Sequence, residues 1–482
     1  MARTTDSNVD VLIVGAGPAG LVMAAWMATC GDRQIFNGQA DAINMRTMEI
    51  FYSLGFADRD LKEGNPLIEL NYVVIAKSCS GIRVERGVLP TKLEIDDALV
   101  GSLDAYPITV HLRQLSEIES SKYVVGADGA HSWVRQELGF SLEGESTDYV
   151  WGVLDMVPIT DFPDIRTLCT IQSTDSGSIL VKPRENKLVR LYIQLTTTAY
   201  NGGKRADRSK INPDAILKAA QKILAPYQLS YRKLNWWTAY QVGQRVGTRF
   251  SAHDRVCLAG DAIHTHSPKV GQGMNVSMQD SYNFGWKVAS VVKGLKRRGT
   301  AQNLITYDYW FSLLLSDHPA PDNMMADLIN PANMKEACER YNLFLAGCSV
   351  DYGPSMIVTK EDKRSSVTSI QELAPEMKIG MRVPSVKVLN QADGWPWHPQ
   401  QRLPSDGRWR VVVYAGDVTK QAQKEKLEIL GAAIGSKESF LQRFTPAEAR
   451  YDAFIEILIM HAAPRKQLDI FEFPDSMLEQ NV

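Results

Sequence analysis

The chain has 482 residues, 44% of them hydrophobic and 22% charged, the make-up of an ordinary globular protein long enough for several domains. Lys plus Arg number 53 and Asp plus Glu 55, and a net charge of −2 excludes a basic footprint for nucleic acid or a polybasic membrane patch. The six cysteines are scattered with no C-x-x-C pair, which excludes a disulfide framework and points to a reducing compartment.

The polar N-terminus, M-A-R-T-T-D-S-N-V-D, lacks the pattern of a secretory signal, and the apolar stretch Leu21–Ala28 is too short to span a bilayer. A cytoplasmic protein without membrane association is expected. Val11–Val14 reads as a buried strand, followed by glycines and a helix over Pro18–Thr29. Val73–Ile75 and Ile82–Val88 read as short strands, and Tyr123–Val125 as another, closing on G-A-D-G. A β-rich middle runs from about Tyr149 to Val242. Within it Val189, Leu191, Ile193 and Leu195 alternate with Arg190, Tyr192 and Gln194, one apolar face and one polar face. Asn212–Leu224 has helical spacing, Arg255–Ala259 is a strand closed by Gly-Asp, and Asn275–Gly294 reads as a long helix. After a polar linker at Thr359–Pro375, the strand Trp409–Ala415, helix Glu425–Ala433 and strand Phe454–His461 form a βαβ unit.

Three motifs carry chemistry. In G-A-G-P-A-G, Gly15 permits a tight turn, Gly17 admits a pyrophosphate to the backbone, and Gly20 lets the helix pack on the strand. The helix N-terminus that follows offers unpaired N–H groups and a positive dipole to phosphate. In V-V-G-A-D-G-A-H-S-W-V-R a strand delivers Asp128 between glycines, positioned to orient Arg135 beside a pyrophosphate; an ordinary Asp-Gly turn is the alternative. In L-A-G-D-A-I-H-T-H-S-P-K-V-G-Q-G-M-N, Asp261 ends a strand where its carboxylate can accept ligand hydroxyls. Pro268 stiffens the loop after it, and Gly271 and Gly273 allow close backbone approach at a helix start. His264 and His266 beside Asp261 invite a metal reading, but no further His or Cys cluster completes a site, so no metal is expected.

These motifs, in this order, resemble the FAD-dependent aromatic hydroxylases, the single-component flavoprotein monooxygenases. F-N-G-Q-A-D-A-I-N-M-R-T-M-E-I, W-W-T-A-Y-Q-V-G-Q-R-V and H-T-H-S-P-K-V-G-Q-G-M-N resemble the phenol hydroxylase branch in particular. The resemblance implies an α/β fold: a Rossmann-like FAD-binding domain interleaved with a β-sheet substrate domain, plus a C-terminal thioredoxin-like domain. The implied boundaries are 1–148 and 246–358 for the two parts of the FAD domain, 149–245 for the substrate domain, 359–375 for the linker and 376–482 for a truncated thioredoxin-like module. No cysteine follows Cys348, so that module has no thiol pair.

By the same resemblance, FAD is held by Gly15, Gly17, Gly20, Arg46, Asp128, Asp261, Gly271, Gly273, Met274 and Asn275. NADPH reduces the flavin from a transient site. Oxygen then gives a flavin C4a-hydroperoxide, which hydroxylates a phenol ortho to its hydroxyl. Asp41 is implied as the base that deprotonates the phenol, Arg184 and Tyr192 as further active-site residues, and Pro268 as the neighbour of the reactive flavin carbon. The implied partners are a small phenolic substrate, O2 and a second copy of the chain in a homodimer.

The chain departs from the family in one telling place. Only Cys30–Gln34 separates the first helix from F-N-G-Q, so the family's second strand, which ends in an acid for the adenosine ribose, is expected to be absent. Asp32 stands twelve residues after Gly20, against a usual spacing of about 20, and is the one remnant of that acid. Against the family pattern, further segments are expected to be missing after Leu70 and after Gly294, together with the last strands of the C-terminal module. Two expectations follow: an active hydroxylase, or a non-catalytic relative that binds FAD weakly or serves only in dimerisation.

Overall fold

The computed structural model describes residues 7–28, 32–34, 43–58, 61, 75–77, 88–102, 104–113, 118–173, 176–195, 211–265, 272–292, 343, 346–348, 352, 357–360 and 369–478. Contacts divide the chain into two units, Met1–Val383 and Pro384–Val482. In chain order the first holds β1 (Ser7–Val14), α1 (Pro18–Ala28), β2 (Asp32–Gln34), α2 (Met45–Ser53), β3 (Ile75–Lys77), β4 (Pro90–Ile95), β5 (Ile108–Leu112), β6 (Ile118–Gly126), α3 (Trp133–Glu137), β7 (Leu142–Thr160), β8 (Cys169–Ser173), β9 (Gly177–Pro183), β10 (Val189–Leu195), α4 (Pro213–Leu224), β11 (Leu229–Gly247), β12 (Ser251–Ala252), β13 (Val256–Leu258), β14 (His264–Thr265) and α5 (Gln272–Val292).

The first sheet has the order β12-β13-β6-β5-β4, with β1 also paired to β6. β1 runs parallel to β6 from Ser7↔Glu119 to Val14↔Gly126, and β13 runs parallel to the end of β6 from Val256↔Val124 to Leu258↔Gly126. The carboxyl ends of β1, β6 and β13 therefore lie side by side, and all three ligand motifs begin there. α1 and α5 cover one face over Met23, Tyr123, Val125, Phe284 and Val288. The two helices pack closely at Gly285, where an added Cβ would lie 2.6 Å from Trp26 Cδ1.

The expectation that no strand follows α1 needs correcting. A three-residue strand, β2, does form, but it pairs antiparallel with β3, Asp32 opposite Lys77, in a separate two-stranded sheet. Among the described residues no strand lines the outer edge of β1. Five residues of connection are too few to return a strand parallel to β1, which needs a crossover. β3 begins at Ile75, the last residue of the strand expected at Val73–Ile75, and residues 82–87 lie outside the described residues.

The second sheet has the order β14-β11-β7-β10-β9-β8. β7 and β11 are long partners, and β11 bends at register shifts between Tyr231 and Lys233, Leu234 and Trp236, and Gln241 and Gly243. α4 starts with Asn212 Oδ1 accepting from Ala215 N–H at 2.9 Å, and lays Ile216, Ala220, Ile223 and Leu224 on Leu154, Met156, Val189, Leu191 and Ile193. The alternation read at 189–195 thus places one face on α4. The other face is not open to solvent: Arg190 and Tyr192 are buried as well, beside Trp151 and Val153.

The second unit holds β15 (Val388–Leu389), β16 (Pro396–Trp397), β17 (Trp409–Gly416), α6 (Gln421–Gly435), α7 (Phe440–Phe444), β18 (Ile455–His461) and α8 (Asp475–Leu478). β17 and β18 pair in parallel, with α6 in the crossover, as the βαβ reading expects. Its core is Ala415, Leu427, Ile434, Leu441, Ile457, Phe473 and Met477. No helix among the described residues is long and apolar enough to cross a membrane.

Candidate functional site

The glycine turn after β1 is fixed by contacts that leave no choice at two of its three glycines. Gly15 has φ +109°, and a Cβ there would lie 2.3 Å from the Ala127 carbonyl oxygen. A Cβ on Gly20 would lie 2.0 Å from the Gly15 carbonyl oxygen. Gly17 differs, because a Cβ there meets nothing within 4 Å. The turn is therefore packed tight against β6 and α1, and open over Gly17, where the first-turn N–H groups of α1 have no intrahelical partner. That opening suits a pyrophosphate.

Of the two readings of Asp128, at the end of β6, the hydrogen bonds of its carboxylate go to the backbone of the following turn and not to Arg135. Its Oδ2 accepts from the N–H groups of Trp133 at 2.7 Å and Val134 at 3.2 Å, so the carboxylate caps α3. Its Oδ1 is buried without a partner among the described residues, an acceptor left over for a ligand or water. Arg135 is buried and donates to the carbonyls of Ala262 at 2.7 Å and Ala130 at 2.9 Å. Burial lowers its pKa against the opposing pull of Asp128. The arginine ties the Asp128 loop to the Asp261 turn.

Gly260–Ala262 form one 3-10 turn after β13. Gly260 has φ +63° and sits where a Cβ would press on Ser277 Cβ at 2.9 Å and Ala19 Cβ at 3.2 Å, wedged between α5 and α1. Asp280 on α5 accepts from Gly260 N–H at 3.1 Å and meets His264 Nε2 at 2.5 Å through the same oxygen. The turn is thus clamped at both ends, by Asp280 at Gly260 and by Arg135 at Ala262. Asp261 between them is exposed, yet ringed by protein that raises its carboxyl pKa by desolvation, against the pull of His264. His264 is fully buried; burial lowers its pKa, but Asp280 prevails and the net shift is upward. Among the described residues no three His, Cys, Asp or Glu side chains group as a metal site.

At the start of α5, Gly273 has open space where a Cβ would stand. Asn275 Oδ1 accepts from Asn44 N–H at 2.8 Å, and Asn44 Oδ1 caps α2 through Thr47 N–H at 3.0 Å. Met274 packs with Ile43 and Met48. Arg46 pairs with Glu49 at 3.1 Å and stands 5.8 Å from the Tyr282 ring centroid. Glu49 is also held by Arg382, with Nε at 2.6 Å. Asp41, Pro268 and Gly271 lie outside the described residues.

Arg184 and Tyr192 are linked on the second sheet through Asp155 and Arg190, two residues that sequence reasoning missed. Asp155 on β7 accepts a bidentate pair from Arg190, 2.6 Å at each oxygen, and a third bond from Arg184 Nη1 at 2.8 Å. Arg184 also grips Glu185, at 2.7 Å and 3.2 Å. The Arg190 guanidinium lies 5.1 Å from the Trp236 ring centroid and 5.9 Å from that of Tyr192. A signal was there to find: an isolated acid in the apolar run V-L-D-M-V needs a buried partner. This sheet reaches the Asp261 turn directly, because β14 starts three residues after Asp261 and pairs with the end of β11, Val246 opposite His264.

The sequence matches the FAD binding domain family over residues 8–78 and 103–308, and the phenol hydroxylase C-terminal dimerisation domain over 350–481. It is 34% identical to the FAD-dependent monooxygenase terD of Aspergillus terreus, covering 98% of this chain and 85% of that protein. It is likewise 34% identical to a phenol 2-monooxygenase of Aspergillus fumigatus, over 98% and 85%, and 33% identical to a 3-hydroxybenzoate 4-monooxygenase of Comamonas testosteroni, over 94% and 81%. The terD alignment runs over 535 positions, more than this chain's 482 residues, so that relative carries internal segments this chain lacks. The fold is similar to that of the flavin-dependent monooxygenase PieE, solved with FAD and substrate, at a TM-score of 0.62 and 17% identity over 95% of this chain and 90% of that one. Open glycine turn, spare Asp128 oxygen and exposed Asp261 fit an FAD, and the chain belongs to the FAD-dependent aromatic monooxygenases that carry a phenol hydroxylase dimerisation domain.

Proposed function

We propose that this protein hydroxylates a phenolic ring ortho to its hydroxyl, with NADPH and O2 as co-substrates, and that it works as a homodimer in the cytoplasm. The reading is supported by similarity along nearly the whole chain to two enzymes whose names specify phenolic rings. When bound and reduced by NADPH, FAD would activate O2, of which one atom goes to the ring and the other to water.

The chain's own residues do the rest. Gly15, Gly17, Gly20, Arg46, Asp128, Asp261, Gly271, Gly273, Met274 and Asn275 would hold the cofactor, with Pro268 as the neighbour of its reactive carbon by resemblance to the phenol hydroxylase branch. Asp41 takes the phenol proton, since a phenolate is far more electron-rich at its ortho carbon than a phenol. A positioned base of this kind contributes ~10²–10⁴-fold. Arg184, held in place by Asp155 and Glu185, stabilises the phenolate oxygen, and Tyr192 shapes the aromatic wall beside it. The second unit is a thioredoxin-like module without redox chemistry, since no cysteine follows Cys348.

The test is direct. Purified protein supplied with FAD should oxidise NADPH faster when a phenol is added and should release the ortho-diol. Asp41→Asn should abolish the diol while FAD still binds. Equal diol formation by the wild type and Asp41→Asn would remove the base assignment, and absence of any phenol-stimulated NADPH oxidation would remove the activity.

A further inference from the structure

Arg382 reaches helix α2 from the last residues of the first unit, which ends at Val383. Its Nε donates to Glu49 Oε2 at 2.6 Å and its Nη2 donates to Glu49 Oε1, a bidentate fork on one carboxylate. The same Glu49 Oε2 accepts from Arg46 Nη1 at 3.1 Å, from one helical turn earlier. All three side chains are mostly covered: Glu49 is 11% exposed, Arg382 15% and Arg46 28%. The hydrogen bonds to Glu49 raise the Arg382 pKa against desolvation, so the fork stays charged.

The approach of Arg382 is anchored. Tyr352 N–H donates to the Gly380 carbonyl at 2.9 Å, two residues before Arg382. Upstream, Gly347 lies against Gln279, where a Cβ would stand 2.8 Å from Gln279 Oε1. Gln279 Nε2 in turn donates to Asn44 Oδ1 at 3.3 Å and to Thr47 Oγ1 at 3.4 Å. Gly347 and Arg382 therefore both close on side chains around the first turn of α2. That turn borders the start of α5, because Asn44 N–H donates to Asn275 Oδ1 at 2.8 Å.

We propose that Arg382 is a positioning residue for the cofactor: it takes both oxygens of Glu49 and so leaves the charge of Arg46 for the pyrophosphate of FAD. The balance of charge supports this. Two guanidinium groups share one carboxylate, and among the described residues no second acid pairs with Arg46. A bidentate fork outweighs one longer bond, so the uncompensated charge falls on Arg46. Helix α2 has no acid in its first turn and carries Arg46 there, where the helix dipole disfavours a cation. A cation held at that place against the dipole suits an anion that arrives from outside the chain. Without Arg382, Glu49 would turn both oxygens to Arg46 and compete with the phosphates. The inference rests on the reading that Arg46 holds FAD; the control of that arginine by Arg382 goes beyond it.

The test titrates FAD into the cofactor-free full chain and reads Kd from the change in flavin fluorescence, with a thermal melt of each cofactor-free variant to confirm its fold. Arg46→Met should weaken FAD roughly 10–100-fold, the worth of a charged hydrogen bond. Arg382→Met should weaken it about tenfold, the lower end of the same range. In the Arg46→Met background, Arg382→Met should change Kd no further, because its effect passes through Arg46, whereas a purely structural loss would appear in both backgrounds. If Arg382→Met does not melt cooperatively, Arg382→Lys takes its place in the same cycle. Its ammonium covers one oxygen of Glu49 and not both, so it should give a smaller loss that again vanishes in Arg46→Met. Equal losses in the two backgrounds, or an unchanged Kd in the single Arg382 variant, would overturn the positioning role and leave FAD binding by Arg46 standing. An unchanged Kd in Arg46→Met would overturn the cofactor reading of that arginine, and the inference with it.

Discussion

Asp155 and Arg190 face each other across β7 and β10 and form a bidentate ion pair, 2.6 Å at each oxygen, with both side chains fully buried. Arg184 shares the same carboxylate from the other side at 2.8 Å. One carboxylate therefore bridges two guanidinium groups, and together with Glu185 it fixes Arg184 beside the face that carries Arg190 and Tyr192.

Removing that acid should be costly. Asp155→Asn removes the carboxylate from the bidentate pair with Arg190, and breaking a buried pair from one side costs about 3–5 kcal/mol. The expected outcome is a clear drop in urea midpoint with an unchanged m-value, together with weaker phenol binding because Arg184 loses its brace. Arg190→Met with Asp155→Leu should recover much of the stability, since an apolar pair of similar volume is tolerated, but not the phenol binding. Stability within about 1 kcal/mol of wild type in Asp155→Asn would show that Arg184 and Arg190 find other partners.

The two kinds of glycine in the turn separate folding from cofactor binding. Gly15→Ala puts a Cβ on the Ala127 carbonyl at a backbone angle that alanine resists, and should cost more than about 2 kcal/mol in the protein without FAD. Gly17→Ala meets no protein atom, so the same measurement should move by less than about 0.5 kcal/mol. Its FAD affinity should nevertheless fall roughly 10–100-fold, because the added Cβ fills the space of the pyrophosphate and holds it off the backbone N–H groups, at the cost of about one charged hydrogen bond. Thermal melts of the cofactor-free protein and flavin titrations read the two effects independently. Normal FAD affinity in Gly17→Ala would place the pyrophosphate elsewhere.

Very little of this site's bracing was legible in the chain. The glycine spacing was, because the turn and the helix that follows it set the contact of Gly20 with Gly15, whereas the close approach of Ala127 to Gly15 comes from strand pairing. The capping role of Asp128 was not legible, since the sequence shows the acid and Arg135 seven residues apart but not that helix α3 begins between them with two N–H groups on that carboxylate. Asp155 and Arg190 are 35 residues apart and meet only through strand register, which no local pattern encodes. The short β2 escaped for a similar reason, because three residues carry no alternation and its partner lies beyond residue 70.

The buried His264–Asp280 pair predicts a pH dependence with a definite sign. Despite burial, which lowers it, the His264 pKa is raised by Asp280 above its ordinary 6.5. A group whose pKa is higher folded than unfolded stabilises fully below the unfolded value and loses that contribution as pH rises through the folded one. Stability should therefore fall from about pH 6.5 upward. The Asp261 shift, caused first by desolvation, has the same sense but starts near its ordinary 3.8, so it acts at the acid end. Melting temperatures between pH 6 and 9 should decline in the wild type and flatten in His264→Gln, whose amide still donates to Asp280. Identical slopes in the two proteins would assign the decline to another group.

The last prediction concerns how firmly the protein keeps its flavin. In a doubly wound sheet the strand beside β1 carries the acid that meets the adenosine ribose. Here the outer edge of β1 is unlined among the described residues, and Asp32 sits on β2, which pairs with β3 instead. The glycine turn keeps its open side, but among the described residues the adenosine end has no strand as its wall. A carboxylate hydrogen-bonded to ribose hydroxyls is worth about 1.5–3 kcal/mol, or roughly 10–100-fold in affinity. FAD should therefore bind, yet leave on dilution or gel filtration. Added FAD should raise the melting temperature progressively, because a ligand at 100 times its Kd stabilises by about 2.7 kcal/mol. Stoichiometric FAD after prolonged dialysis would contradict this. Asp32→Asn would then be the decisive variant: loss of the retained flavin would mean that β2 supplies the ribose contact from its own sheet, and no change would mean that the adenosine is held without a carboxylate there.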